Sequence, residues 1–279
     1  MGHGANDEER TFMKHSEQNS DWLEVSTFFV RNRNALVARA DFSGLYVDYY
    51  LHLAQFSLRP SPEHDMLFKD ALAAFVLHCA TRPWNETVAW TINIQDPLLN
   101  IFVTGTNLEG SVTGQVFTEE VRQREGNLFC SDVVRGNEEP RRSLVDFHSA
   151  DIIAAAEHFY AQSEQRPARY FQTGDEDLVL IVAESDCDLD WLGALNDSVV
   201  KVLDEKEELS LLEQRRFKWW CGCTQQRMLE VLAPSHQMDP DAIFAGEDVV
   251  RINCPRCGGR HTVTKEALEA FISDFEKER

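Results

Sequence analysis

The sequence predicts an α+β fold, and three observations carry that expectation. Helical stretches and strand-like runs follow one another without a repeating βαβ alternation, which argues against the parallel-sheet classes. The stretch 188–218 is helical in composition and dense in charge. Beyond it, Cys221-Gly-Cys223 and Cys254-Pro-Arg-Cys257 sit in a compact stretch of about 60 residues. The expected organisation is an extension over 1–21, a mixed helix and antiparallel-sheet core over 22–187, a charged helical linker over 188–218, and a small four-cysteine domain over 219–279.

Each element has its own signal. Met1 to Ser20 is polar, lacks the apolar core of a secretory signal and reads as disordered. Thr27 to Arg31 reads as a strand. Gly44 to Leu58 carries Leu45, Tyr49, His52, Leu53 and Phe56 at helical spacing, and Pro60 and Pro62 end it. Glu63 to Thr81 is a second, more apolar helix. The runs 88–94, 99–103 and 111–117, broken by Asp96-Pro97 and by Asn107 and Gly110, form an antiparallel meander; 127–134 and 143–147 add strands. Ser149 caps a helix from Ala150 to about Ser163. The runs 168–172 and 178–183 make a hairpin around Thr173-Gly174-Asp175. The spaced Asp186, Asp188 and Asp190 start a helix; no glycine and closing glutamate complete a calcium loop. In the tail, 224–233 is a short helix, Pro240 to Phe244 a helical turn, and 249–252 and 260–263 are strands. Thr264 caps a last helix bearing Leu268, Phe271, Ile272 and Phe275.

Composition narrows the function classes. The 279 residues are 43% hydrophobic and 27% charged, ordinary values for a soluble globular protein, and no apolar run is long enough to span a bilayer. A cytosolic protein follows, in a compartment that keeps thiols reduced. The net charge of −20 works against nucleic-acid phosphates. It also keeps a protein soluble while it holds apolar partners. Cys79 falls in an apolar helical run, and acids neighbour Cys130 and Cys187 and disfavour their thiolates, so these three read as bystanders. There is no phosphate-cradling glycine loop and no nucleophile elbow, and no catalytic site is expected.

The four tail cysteines carry the chemistry. Two chelating pairs with 30 residues between them (224–253) can supply four thiolates to one tetrahedral ion, and zinc is the usual guest. Gly222, Gly258 and Gly259 help the backbone bend around a metal. His236 and His261 are left out because four sulfurs already fill a tetrahedron. The same sulfurs can pair as disulfides, so the tail is either a structural clip or a redox switch whose folding is coupled to metal. Two other uses stay open: a zinc-stabilised binding module, or a thiol–disulfide oxidoreductase using Cys254-Pro-Arg-Cys257.

The two cysteine pairs, the Gly258-Gly-Arg-His-Thr-Val-Thr-Lys-Glu-Ala-Leu268 run after them, and the patch from Ser143 through Ser163-Glu164-Gln165 to Ala168 resemble the heat-shock protein 33 family of redox-regulated chaperonins. The resemblance implies an ATP-independent holdase for unfolded client proteins. It implies one zinc per chain on Cys221, Cys223, Cys254 and Cys257 in a reduced, inactive form. It further implies that oxidant forms Cys221–Cys223 and Cys254–Cys257 disulfides and ejects the zinc. The tail and linker then unfold, a client surface is exposed, and oxidised chains form homodimers.

Overall fold

The computed structural model of the chain describes residues 22–239 and 243–277, with side chains to Asp274. The extension over 1–21 lies outside the described residues, as does part of the helical turn expected at Pro240 to Phe244. So does the Phe275 side chain.

Strands β1 (Leu23–Val30) and β2 (Ala35–Asp41) pair as a hairpin and lead into helices α1 (Ser43–Gln55) and α2 (Pro62–Ala80). Helix α2 starts on Ser61, whose hydroxyl accepts from the His64 N–H, with Pro62 at its first position. Every residue from Ala71 to Ala80 is buried. A helix apolar on all sides runs through a core rather than over it, and α2 packs on β1, β2, β4, β5 and β9.

The meander is β3 (Glu86–Gln95), β4 (Leu98–Thr106) and β5 (Ser111–Phe117), as expected from the alternation. Strand β6 (Asn127–Arg135) returns to the other side of β3, and β7 (Arg141–Phe147) follows it. Helix α3 (Ile152–Phe159) corrects the expected cap. Asp151, not Ser149, accepts from the Ala154 N–H, while the Ser149 hydroxyl accepts from the Asp151 N–H just ahead of it. The helix then widens into a π-turn over Tyr160–Glu164. Strands β8 (Ala168–Gln172) and β9 (Asp177–Ala183) form the expected hairpin.

The helical linker over 188–218 needs a larger correction. Only its first part is helical: α4 (Leu189–Ala194), opened by Asp188, then α5 (Asp197–Val200) and α6 (Leu203–Lys206). Each buries one apolar face. Leu192, Leu195, Val200 and Leu203 are buried in a second core with Val30, Val37, Phe171, Val179 and Ile181. The remainder is a strand, β10 (Leu209–Trp219). Arg215, Phe217 and Trp219 point inward, and Gln214, Arg216 and Trp220 outward, the two-residue period of a strand beneath a charge-rich sequence.

Strand β10 completes a ten-stranded sheet in the order β7-β6-β3-β4-β5-β10-β1-β2-β9-β8. It runs antiparallel to β1 from Leu209↔Val30 to Phe217↔Leu23, and parallel to β5 through Lys218↔Ser111 and Trp219↔Val112. Among the described residues it is the strand that joins the two halves of the sheet. The tail follows: α7 (Gln225–Met238), capped by Thr224 and running through Pro234 beyond its expected end, then β11 (Val249–Asn253), β12 (Arg260–Thr264) and α8 (Lys265–Lys277). The Thr264 hydroxyl accepts from the Ala267 N–H, as the sequence predicts.

A buried ionic knot closes one end of the core. The Glu86 carboxylate, with no exposed side-chain surface, accepts from Arg82 at 2.9 Å, Arg135 at 2.7 Å and Arg141 at 3.4 Å. Burial alone would raise its pKa, but these guanidinium groups hold it below the ordinary carboxylate value. Arg82 also pairs with Glu164 at 2.6 Å, which gives the Ser163-Glu164-Gln165 run a structural role.

His78 on α2 is fully buried among Trp90, Phe159 and Tyr160, with Nδ1 2.8 Å from the Tyr160 hydroxyl. Burial, then the positive charge of Arg82 and Arg166, pushes its pKa well down. The unfolded chain therefore takes up a proton below about pH 6.5 that the folded chain refuses, so this contribution to stability is full above that pH and lost as pH falls. Between pH 7.5 and 5.5 the parent is expected to lose roughly 1 kcal/mol more unfolding free energy than His78→Gln, measured by denaturant titration.

Candidate metal centre

The first cysteine pair starts where β10 ends. The Lys218 N–H donates to Gly110 O at 2.8 Å and the Trp220 N–H to Val112 O at 2.9 Å, so Cys221 lies one residue beyond the last bond to β5. Gly222 takes φ +71°, a left-handed turn that lets two sulfurs one residue apart face the same side. The second pair sits on a knuckle between β11 and β12. The Gly258 N–H donates to Cys254 O at 2.9 Å, the Cys254 N–H to Gly259 O at 2.8 Å, and Gly258 takes φ +72°.

The two loops bring four sulfurs together. All four Sγ atoms lie within 4.8 Å of one another, a set able to hold a metal ion. Sγ–Sγ distances are 3.6 Å for Cys221–Cys254 and 3.4 Å for Cys223–Cys257. A disulfide needs about 2.05 Å, so these are four thiols. Zinc–sulfur bonds of about 2.3 Å in a tetrahedron separate the sulfurs by about 3.8 Å, and the donor set fits that ion. The short contacts run between the pairs, as in one tetrad.

Crowding divides the protons unevenly. Hydrogen bonds from Cys221, Cys223 and Cys257 drive the Cys254 pKa far down, and a bond with Cys223 lowers Cys221 to about 7. The same contacts, first of all with Cys221, push Cys223 and Cys257 up. Four neighbouring sulfurs cannot all ionise without a compensating cation, so binding a divalent metal here would release protons. The other three cysteines are unlike these. Burial raises the pKa of Cys79; burial and then Asp132 raise Cys130; and burial, assisted by Asp188, raises Cys187.

The site is not confined to the tail. Cys254 and Cys257 are buried and belong to the main core along with Trp219. The Trp219 ring packs against Tyr49, His52 and Phe68, and Phe56 against His261. His52 donates from Nε2 to Cys257 O at 2.9 Å, and Gln115 Nε2 donates to Cys254 O at 3.1 Å and Pro255 O at 2.7 Å. Sequence reasoning missed this dock because the contacts come from 49–68 and 115. The only trace of it is His52 among the apolar positions of α1. Beyond the dock, the tail's own core is small: Met228, Leu229, Phe244, Val263 and Leu268.

Residues 54–184 match the family model described as Hsp33 protein. That stretch of the chain resembles the domain the model describes. The match ends before the first of the four cysteines, so the domain and the sulfur cluster are separate observations. The 33 kDa chaperonin of Salmonella choleraesuis is 22% identical over 234 residues, 72% of this chain and 80% of that protein. The 33 kDa chaperonin of Nitrosococcus oceani is 18% identical over 73% and 80%. The crystal structure of the Thermotoga maritima 33 kDa chaperonin superposes with a TM-score of 0.70 at 13% identity, covering 92% of this chain and 99% of that one. The Hsp33 likeness in fold thus extends well past the matched domain.

The two tryptophans before the first pair separate core from surface. Trp219 is buried and Trp220 is 54% exposed. Trp219→Ala is expected to cost roughly 3–5 kcal/mol in denaturant unfolding. Trp220→Ala should cost less than about 1 kcal/mol.

Proposed function

We propose that this chain is a redox-regulated, ATP-independent chaperone that holds unfolded proteins. Reduced Cys221, Cys223, Cys254 and Cys257 bind one zinc per chain, and the zinc-bound form is inactive. The observation that carries the reading is the tetrad itself: four free thiols within 4.8 Å, two of them embedded in the main core of an Hsp33-type fold. The relatives support it, being named as chaperonins and not as enzymes.

The chemistry is thiol oxidation. Each pair, Cys221 with Cys223 and Cys254 with Cys257, gives up two electrons as one S–S bond forms. Hypochlorous acid takes them, together with a proton, and leaves as chloride and water. Sulfurs joined in disulfides are no longer thiolates, and the site loses its hold on the cation. The tail, with five buried apolar residues in its own cluster, then lacks the energy to stay folded. The Trp219 dock and the end of β10 loosen with it, exposing apolar surface for clients and for pairing of two oxidised chains.

The setting agrees with this use. A net charge of −20 keeps a chain soluble while it carries exposed apolar segments and disfavours nucleic-acid partners. Among the described residues no helix is long and apolar enough to cross a membrane. Reduced thiols fit a cytosolic resting state.

The reduced protein is expected to release about one zinc per chain when hypochlorous acid is added, scored with a chromogenic chelator, and to begin suppressing aggregation of a heat-denatured client in the same samples. Zinc retained under oxidant, or released without protection, would make the site a structural clip on a binding protein. Replacing Cys254 and Cys257 by serine should abolish zinc binding and leave oxidant without effect on chaperone activity.

A further inference from the structure

Both halves of the four-cysteine site are held by one strand, β5, and they are held differently. The first half hangs on its backbone: Gly110 O and Val112 O accept from Lys218 N–H and Trp220 N–H, and Cys221 follows at once. The second half hangs on a side chain. Three residues past Val112, the Gln115 carboxamide reaches the knuckle and donates to two consecutive carbonyls, Cys254 O at 3.1 Å and Pro255 O at 2.7 Å. Only the NH2 end of the amide can face two acceptors. Its oxygen lies against Gly258, 3.0 Å from where a Cβ would stand, so the amide is fitted between the two ends of the knuckle.

The geometry points to Gln115 as a positioning residue that sets how readily the cysteine site opens. This rests on the metal-binding reading above. The argument is one of alternatives. Next to β5, β10 pairs only with Ser111 and Val112. Beyond Val112 the strand reaches the tail's knuckle through the Gln115 side chain. Without that amide the Cys254 and Pro255 carbonyls turn to water, which stabilises the open knuckle. Cys254 then keeps its loop bond from Gly258 and its burial in the main core, but the polar and ring contacts left to hold the loop to the rest of the fold are His52 on Cys257 O and Phe56 on His261. Both Gln115 bonds to the knuckle end on backbone carbonyls and not on sulfur, so its action is through the loop and not on the ligands.

The test compares the full-length reduced parent with Gln115→Ala and Gln115→Glu. The glutamate keeps the shape but sets two acceptors against two carbonyls. Three readouts are taken: zinc content, the rate of zinc transfer to a chelator without oxidant, and amide hydrogen exchange over 254–259. The expected result is one zinc per chain in all three proteins, with release about tenfold faster in Gln115→Ala and at least as fast in Gln115→Glu. Exchange over 254–259 should rise in step, and the melting midpoints of the three metal-free chains should coincide. Equal release rates and equal exchange in a zinc-loaded parent and both variants would overturn the positioning role and leave the metal reading intact. A parent that binds no zinc would overturn the metal reading instead, and unchanged exchange over 254–259 would then overturn the clamp as well.

Discussion

The pairing of β10 with two different strands is the constraint on which the rest of the structure depends. Along most of its length β10 is an ordinary antiparallel neighbour of β1, and at its last residues it becomes a parallel neighbour of β5. A parallel contact two residues long is weak taken alone. What secures it is the burial of Phe217 and Trp219 on one side and the cysteine loop immediately beyond. The sheet's two halves and the metal centre therefore share a single short segment, 217–221.

That sharing would let a small site act on a large domain, as the proposed function requires. The tail's cluster of Met228, Leu229, Phe244, Val263 and Leu268 is too small to fold a module of its size unaided. A metal held by the four thiolates would contribute roughly 10–16 kcal/mol, enough to decide whether the module folds. Since Cys254 and Cys257 lie in the main core, the same energy would also hold the knuckle against α1 and β5 through His52 and Gln115. On the proposed reading, loss of the metal would remove the tail's cohesion and the tail's grip on the sheet in one event.

Much of the fold was legible because local signals agreed with tertiary structure. The hydrophobic run of α2, the turn at Asp96-Pro97 and the cap at Thr264 each announce their element. The convergence of the four cysteines was legible because cysteine spacing is a strong signal in itself. Strand β10 was not. Glu205 to Glu208 and Glu213 to Arg216 read as a charged helix, yet only the alternation of Arg215, Phe217 and Trp219 faces the core. The strand's identity is fixed by β1 and β5, more than 90 residues away in sequence. Likewise the helix expected over 224–233 runs on through Pro234 to Met238, and Ser149 was a reasonable cap displaced by Asp151 two residues on. The dock of the knuckle on α1 and β5 lay beyond sequence reasoning, since Gln115 carries no pattern of its own.

The most direct test of this account is amide hydrogen exchange at Lys218 and Trp220, the two N–H groups bonded to Gly110 and Val112 carbonyls. It would be compared in the reduced chain with and without metal, using Val37 and Ile181 on the paired β2 and β9 as an internal reference. The account predicts that metal removal collapses protection at 218 and 220 while the β2–β9 amides keep theirs. Full protection at Lys218 and Trp220 in the metal-free chain would contradict it, and would confine the metal's influence to the tail.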